Sequence, residues 1–224
     1  PLSFSHYLND WFKSGIIAEH KRKSPSKGII NDRLTVEEIA KGYEEAGASA
    51  LSVLTDTPSF GGTDEDLLNA RKVISIPILR KDFVVDEYQI IEAKSLGANA
   101  ILLIAACLTP SEIKQFSELA KSLHLETLLE IHSEAELIPN CFDSIQCVGV
   151  NNRNLKDFTV SVELSKELAD KIPSQYVKIS ESGIDSPETI KELKEFGYKG
   201  FLIGENFMKT ENPGLSMKTF VEHL

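Results

Sequence analysis

Two side chains of opposite charge end the first apolar run of the chain. Glu19 and Lys21 follow residues 16–18 and are two positions apart. In a β-strand, residues two apart point to the same side. A strand through Ile17 therefore directs a carboxylate and an ammonium the same way, and burying them costs free energy unless they bond to each other or to a ligand. An ordinary surface ion pair explains this stretch equally well, so the interpretation depends on whether the pattern recurs.

Polar residues do recur at the ends of the later apolar runs. They include Lys81, Glu130, Asn151 with Arg153, Glu181 with Ser182, and Gly204 with Glu205. Each one alone is compatible with a structural role, but so many unpaired charges at one place would be costly in a purely structural assembly. We interpret Asp56 and Asp82 as loop-capping or salt-bridge residues. We interpret His132 as a structural residue that points away from Glu130 into a layer of helices.

The elements that carry these residues alternate regularly along the chain. Short apolar runs predict strands at 16–19, 50–54, 78–81, 100–104, 127–131, 146–151, 177–180 and 200–203. Amphipathic patterns predict helices at 35–46, 64–73, 86–96, 109–123, 133–137, 162–171 and 186–196, with a last one toward the C-terminus. Thr35 with Glu38, Thr109 before Pro110 and Ser186 before Pro187 are typical helix caps.

Eight βα units without a dividing linker predict an α/β fold, a closed (β/α)₈ TIM barrel forming one domain over residues 1–224. An open dinucleotide-binding sheet is disfavoured, because no G-x-G-x-x-G turn follows the first strand. In such barrels the chemistry lies where the strands end, which is where the polar residues are. The sequence therefore predicts one site that gathers them.

Composition limits the partners that this site can have. The net charge is −10 and the sequence pI is near 5.1, which argues against a nucleic-acid or anionic-membrane surface. The three cysteines, Cys107, Cys141 and Cys147, have no zinc-ligand spacing, and a reducing compartment is the simple inference. No apolar run is long enough for a membrane span, and the N-terminus does not resemble a signal peptide. We expect a cytoplasmic protein.

The last two strand ends predict a phosphate site. Ser182-Gly183 and Gly204-Glu205-Asn206 put small residues where backbone N–H groups can close on an anion. A short helix is expected to follow through Phe207 and Met208. The side chain of Glu205 would repel a phosphate and is expected to turn away from it.

Seven motifs resemble the indole-3-glycerol phosphate synthase family of tryptophan biosynthesis. They run through nearly the whole chain in the order IIAEHKRKSPSKG (16–28), LSVLTD (51–56) with FGG (60–62), PILRKDF (77–83), LLEIH (128–132), GVNNRNL (149–155), SESGI (180–184) and LIGE (202–205). The resemblance implies ring closure of a carboxyphenylamino-deoxyribulose phosphate to indole-3-glycerol phosphate, with loss of carbon dioxide and water. It implies no metal and no organic cofactor, a small phosphorylated molecule as substrate, and a monomer or weak homo-oligomer.

The same resemblance implies roles for individual residues. Lys81 is implied as the general acid, Glu130 as the general base or proton shuttle, and Lys21 as the partner of the substrate carboxylate, paired with Glu19. Which lysine serves which step stays open. A supporting hydrogen-bond ring is implied for Asn151, Arg153, Glu181 and Ser182. The implied phosphate site is Ser24, Gly183, Gly204 and Glu205, and the implied apolar slot for the aromatic ring is Phe60, Phe83, Leu102 and Leu155.

Further expectations follow from these assignments. A lysine that acts as an acid near neutral pH needs a lowered pKa, and burial beside a second ammonium would lower the pKa of Lys81. Family members carry a helical segment ahead of the first strand, so residues 1–14 are expected to be a short or trimmed form of it. Two alternatives stay open: a barrel like phosphoribosylanthranilate isomerase, for which no cysteine lies at a strand end, and a phosphate-ligand-binding barrel without catalysis.

Overall fold

Eight parallel strands close into a barrel in the computed structural model, which describes residues 2–154 and 156–224. We number the barrel strands β1 to β8 in chain order. They are β1 Ile16–His20, β2 Ala50–Leu54, β3 Ile78–Lys81, β4 Ala100–Ile104, β5 Glu126–Ile131, β6 Cys147–Asn151, β7 Val177–Glu181 and β8 Gly200–Ile203. Each strand pairs in parallel with the next, and β8 pairs with β1 through Ile17 opposite Leu202. The predicted barrel is confirmed.

One helix precedes the first strand, and the others follow the strands. They are α1 Phe4–Asn9, α2 Val36–Glu45, α3 Thr57–Phe60, α4 Asp64–Val73, α5 Glu87–Leu96, α6 Pro110–Ser122, α7 Glu134–Leu137, α8 Glu163–Leu168, α9 Pro187–Glu195, α10 Glu205–Met208 and α11 Pro213–Val221. The caps predicted at Thr35, Thr109 and Ser186 are all present. Within the described ranges, no helix combines the length and the apolar character that crossing a membrane requires.

Alternating side chains of the strands pack into two separate cores. Ile16 and Leu51 point outward and pack with residues such as Tyr43 on the inner faces of the helices. Ile17 and Leu79 point inward and fill the barrel with their neighbours. This alternation follows from the two-residue period of a strand. Every second side chain of a strand therefore points into the barrel, and these inward-facing side chains form a row that ends at the C-terminal mouth.

The N-terminal mouth of the barrel is closed by α1. Phe4 and Leu8 are buried against the inward-facing residues of the strands. The Ser3 hydroxyl donates a hydrogen bond to one oxygen of Glu126 at 2.5 Å, and the backbone N–H of Ser5 donates to the other at 2.7 Å. The opposite end of the barrel opens into a cavity lined by the C-terminal ends of the strands.

Candidate active site

Five polar side chains continue the inward-facing stacks at the C-terminal ends of the strands. Each lies two positions after an inward-facing residue of its strand, or after a glycine in the case of β6. They are Glu19 on β1, Lys81 on β3, Glu130 on β5, Asn151 on β6 and Glu181 on β7. The strand period thus brings residues separated by up to 162 positions of sequence into one cavity.

Glu19 is the centre of an ion-pair network. Its carboxylate lies 2.9 Å from the Lys21 ammonium and 3.3 Å from that of Lys81, and the Ser52 hydroxyl donates to it at 3.3 Å. Burial alone would raise the pKa of Glu19, but the two ammonium groups outweigh burial and lower the pKa to about 2. Glu19 is therefore ionised at any pH at which the protein functions. The predicted pairing of Glu19 with Lys21 is present, and Lys81 shares it.

The pKa of Lys81 contradicts the expectation from the sequence. Burial lowers this pKa, as expected, but the carboxylates of Glu19, Glu181 and Glu130 outweigh burial and hold the pKa of Lys81 above its usual value. The expectation was wrong because it counted the second ammonium and not the carboxylates. Lys81 is consequently a protonated ammonium at neutral pH.

Glu181 is a carboxyl group that keeps its proton near neutral pH. Burial and the neighbouring charge of Glu130 raise the pKa of Glu181 to about 8, although Lys81, 3.7 Å away, acts in the opposite direction. Among the described residues, neither of its oxygens has a hydrogen-bond partner. The space for this carboxyl group depends on Gly149, since a Cβ atom there would lie 2.2 Å from its Oε1 atom.

Glu130 is held by a chain of hydrogen bonds. The Asn151 amide donates to Glu130 at 3.0 Å, and the Ser182 hydroxyl and the backbone N–H of Arg153 donate to the Asn151 oxygen at 2.9 and 3.1 Å. Ser182 has φ 68° and Gly183 has φ 77°, a left-handed conformation that is uncommon for a residue other than glycine. This backbone conformation points the Ser182 hydroxyl at Asn151. This series of hydrogen bonds fixes the orientation of the Glu130 carboxylate in the cavity.

His132 does not point into the helix layer as the sequence analysis expected. Its Nε2 atom lies 3.6 Å from Glu130 Oε1, and its Nδ1 atom lies 3.6 Å from Glu136 Oε2. The strand ends at Ile131 and His132 lies in the bend that follows, so the alternation of the strand does not set its direction and the ring lies between Glu130 and helix α7. His132 is thus part of the surroundings of Glu130, although it does not line the cavity itself.

The cavity has a volume of about 510 Å³, within the range of about 300–1,000 Å³ that is usual for small-molecule sites. It is lined by fifteen of the predicted site residues: Glu19, Lys21, Ser24, Phe60, Lys81, Phe83, Leu102, Glu130, Asn151, Arg153, Glu181, Ser182, Gly183, Gly204 and Glu205. The sixteenth, Leu155, lies outside the described residues. The rings of Phe60 and Phe83 have their centroids 6.4 Å apart and form an apolar wall with Leu102.

The predicted phosphate end is lined by Ser24, Gly183, Gly204 and Glu205. The Glu205 carboxylate lies 3.8 Å from the Lys27 ammonium, and both side chains are substantially exposed, so this pair contributes little to stability. Gly183 has no room for a side chain, because a Cβ atom would lie 2.5 Å from Val160 Cγ1. Gly183 is exposed, whereas Gly204 is buried beside Glu19, and both line this end of the cavity.

Some residues that line the cavity were missed in the sequence analysis. Lys209 follows α10 and adds a cation at the phosphate end, and Cys107 lies in the loop after β4. Neither lies at a strand end or within one of the seven motifs. Asp56 and Asp82 also line the cavity, but they have the predicted structural roles. Asp56 accepts the Ser59 N–H at the start of α3, and Asp82 accepts the Thr55 hydroxyl.

Comparison with known proteins identifies the family to which the chain belongs. The family model described as indole-3-glycerol phosphate synthase matches residues 2–220. The chain belongs to the indole-3-glycerol phosphate synthase family. It is 51% identical over 209 residues to the indole-3-glycerol phosphate synthase of Bacteroides thetaiotaomicron, covering 93% of this chain and 80% of the relative. Over 223 residues it is 44% identical to that of Koribacter versatilis, with 99% and 86% of the two chains covered.

The fold is shared more widely than the family. A tryptophan synthase alpha-subunit from Pyrococcus furiosus superposes with a TM-score of 0.71 at 17% sequence identity, covering 95% of this chain and 98% of the other. At that identity the likeness concerns the barrel alone. Membership of the indole-3-glycerol phosphate synthase family makes the protein a carboxy-lyase of tryptophan biosynthesis. The comparisons support this activity and not the isomerase-like or non-catalytic alternatives.

Proposed function

We propose that the cavity closes the indole ring with Lys81 as general acid and Glu130 as general base. The observation that carries this proposal is that the two side chains enter one cavity from β3 and β5, each held by its own network. The substrate, a carboxyphenylamino-deoxyribulose phosphate, has an aromatic ring, a carboxylate and a phosphate. The cavity offers an apolar wall and two cationic ends that match these groups in kind.

Lys81 supplies the first proton in this mechanism. As the aromatic carbon attacks the ketone carbon, the carbonyl oxygen gains electron density and becomes more basic than a lysine amine. An ammonium therefore gives up its proton at that moment even though Glu19 and Glu181 raise the pKa of Lys81 in the empty site. A raised pKa has the advantage that Lys81 is protonated whenever substrate arrives.

Loss of carbon dioxide restores the aromatic ring, and water then leaves. Glu130 accepts the proton that is released as the new double bond forms, and Asn151 keeps its carboxylate in position at 3.0 Å. Glu181, whose pKa is raised to about 8, is a neutral acid close to Lys81 and does not add a further negative charge beside the substrate carboxylate. Asn151, Arg153 and Ser182 support Glu130 through the hydrogen bonds described above.

The two ends of the cavity bind the substrate's anionic groups. Lys21 holds the carboxylate in this proposal, since it lies beside Glu19 at the wall of the cavity. Ser24 and the backbone of Gly183 and Gly204 bind the phosphate, with Lys209 as an additional cation. The phenyl ring lies against Phe60, Phe83 and Leu102. A water-poor pocket that aligns the ring with the carbonyl can contribute several kcal/mol, about 7–11 at most. The monomeric or weakly oligomeric state and the cytoplasmic location stay predictions.

Substitution of the two central residues tests the proposal. Lys81→Ala and Glu130→Gln are each expected to lower kcat by at least about 100-fold, the usual contribution of a positioned acid or base. Product is measured by indole fluorescence under saturating substrate. Lys94→Ala and Glu118→Gln, at exposed positions on α5 and α6, are matched controls that should retain the unsubstituted rate. A kcat within about twofold of the unsubstituted chain in Lys81→Ala or Glu130→Gln would contradict the assigned role.

A further inference from the structure

One titratable side chain next to the site has no role in the mechanism above. His132 follows Glu130 by two residues, and its imidazole lies between two carboxylates, with each ring nitrogen 3.6 Å from one of them. Both nitrogens are shielded from solvent, and among the described residues neither has a hydrogen-bond partner. The backbone N–H of His132 donates to Glu136 at 2.7 Å, which keeps the helix carboxylate beside the ring.

The two carboxylates differ in their access to water. The Glu130 side chain is 6% exposed and lines the cavity, whereas that of Glu136 on α7 is 27% exposed. His132 is therefore the only one of the three groups that touches both others, and it joins a buried carboxylate to one at the surface. Carboxylate, imidazole and carboxylate in a row can pass a proton, because imidazole can accept on one nitrogen while it donates from the other.

The proton balance of the reaction calls for such a route. The substrate enters with a carboxylate and leaves its charge behind as neutral carbon dioxide, and the ketone oxygen leaves as water. Lys81 protonates the carbonyl oxygen, the departing hydroxyl takes a second proton, and Glu130 accepts only one in return. Each turnover therefore takes up one proton from solution. The Glu130 side chain is only 6% exposed without a ligand, and we expect a substrate in the cavity to limit further the water that could bring the proton through the mouth.

We propose that His132 relays protons from solvent to Glu130 by way of Glu136. Each 3.6 Å gap first closes to hydrogen-bond length. A proton on the Glu136 carboxyl then moves to Nδ1 of His132 while the proton on Nε2 moves to a Glu130 oxygen. Glu130 passes this proton to the departing hydroxyl, takes up the proton released as the double bond forms, and returns that proton to Lys81, so that each turnover uses one proton from solution. Rotation or proton exchange of the ring then restores the starting tautomer, and Glu136 takes its next proton from water. No atom other than hydrogen is transferred. This proposal rests on the role of Glu130 proposed above and makes His132 a positioning and relay residue that does not touch the substrate.

The other groups that face the relay do not replace it. Asn151 donates to Glu130 but cannot carry a proton onward as imidazole does. Cys107 lies near both carboxylates, and burial together with the charges of Glu130 and Glu136 raises the pKa of its thiol. The thiol therefore stays protonated near neutral pH and does not exchange its proton readily. His132 is left as the titratable group with contacts in both directions.

The test compares His132→Asn with Glu136→Gln and Glu130→Gln in steady-state turnover. His132→Asn is expected to lower kcat about 10-fold or more while KM changes less than about twofold, because proton delivery and not binding is impaired. Its solvent deuterium isotope effect on kcat should rise, and added imidazole should restore part of the rate in proportion to its concentration. Glu136→Gln should show a smaller loss of the same kind. His223→Asn, remote and exposed, is the matched control and should behave as the unsubstituted chain.

The outcomes separate the relay from the role of Glu130. If His132→Asn has the same kcat as the unsubstituted protein while Glu130→Gln is inactive, the relay is overturned and the role of Glu130 is not. A lowered kcat that imidazole does not restore and that has an unchanged isotope effect would mean a merely structural histidine, and would also overturn it. Glu130→Gln should be inactive with or without imidazole. Full turnover in Glu130→Gln would overturn both proposals.

Discussion

One carboxyl group that keeps its proton balances the charges of the central cluster of ionisable side chains in the cavity. Three carboxyl groups, Glu19, Glu130 and Glu181, face the two ammonium groups of Lys21 and Lys81. Because burial and Glu130 raise the pKa of Glu181 to about 8, this group is largely neutral at pH 7. Among these five groups two charges of each sign therefore remain, and Glu181 adds no negative charge beside Lys81.

Substitution of Gly149 tests whether the position of the Glu181 carboxyl group matters. In Gly149→Ala the new methyl group would lie 2.2 Å from Glu181 Oε1 and 3.0 Å from Leu128 Cδ1. The Glu181 side chain is the more easily displaced, since its carboxyl group is the far end of a flexible chain. We expect kcat to fall by about 10- to 100-fold, the cost of misplacing a group by about 1 Å, while the thermal midpoint changes by only a few degrees. Activity and melting measurements on the same preparation check this, and an unchanged kcat would mean that Glu181 has no positional role.

Most of the site could be predicted residue by residue, because its members end apolar runs and the motifs around them are specific. The inward direction of Lys81 and Glu130 follows from the alternation of side chains along their strands alone. The pKa of Lys81 could not be predicted, since its direction depends on distances to Glu19 and Glu181 that come from three different strands. The orientation of His132 could not be predicted from strand alternation, because His132 lies in the bend after the strand ends at Ile131.

At the scale of the elements, β1 contributes to the site on one side and to the helix layer on the other. His20, the last residue of β1, lies on the opposite side from Glu19 and is 1% exposed. Among the described residues, neither of its ring nitrogens has a hydrogen-bond partner. Burial, and secondarily the charge of Arg22, lowers the pKa of His20 to about 4. The ring is therefore neutral in the folded protein at neutral pH.

This environment predicts an acid-sensitive contribution of His20 to stability. The folded-state pKa, about 4, lies below the unfolded value of 6.5, so the contribution is complete above pH 6.5 and is lost as the pH falls toward 4. Between pH 8 and pH 5 the loss amounts to about 2 kcal/mol. His20→Leu removes the titrating group and should lack this loss. Urea unfolding of both proteins at several pH values measures it, and parallel pH curves would contradict the assigned burial. The comparison is needed because Glu181, with its raised pKa, titrates in the opposite sense.

The boundaries of the elements differ from the sequence predictions where a strand includes polar residues. β1, β5 and β7 each have one more residue than predicted, namely His20, Glu126 and Glu181. A strand predicted from a run of apolar residues ends before the first polar residue. These polar residues nevertheless belong to the strands, because the ends of the barrel are where polar side chains bind a ligand or contact α1. Short elements such as α3 and the hairpin of Lys23–Ser24 with Gly28–Ile29 were not predicted, because two to four residues are too few to form a period.

At the scale of the whole molecule, stability and chemistry are separated along the barrel axis. The N-terminal mouth is closed by Phe4 and Leu8 of α1 and by the hydrogen bonds to Glu126. The C-terminal mouth holds the ion pairs, the apolar wall and the glycines of the cavity. Such a division is general for these barrels. It allows buried charges, which are unfavourable for folding, to be concentrated at one end while the other end supplies apolar burial.

The central claim is that this cavity converts the carboxyphenylamino-deoxyribulose phosphate into indole-3-glycerol phosphate. The most direct measurement mixes the unsubstituted chain with that substrate and follows indole fluorescence and carbon dioxide release together. We expect both signals to rise in equal amounts at a rate proportional to the protein concentration, and both to be absent with Lys81→Ala. Saturable binding of the substrate without fluorescence and without carbon dioxide would contradict the account, and would leave a barrel that binds this ligand and does no chemistry on it.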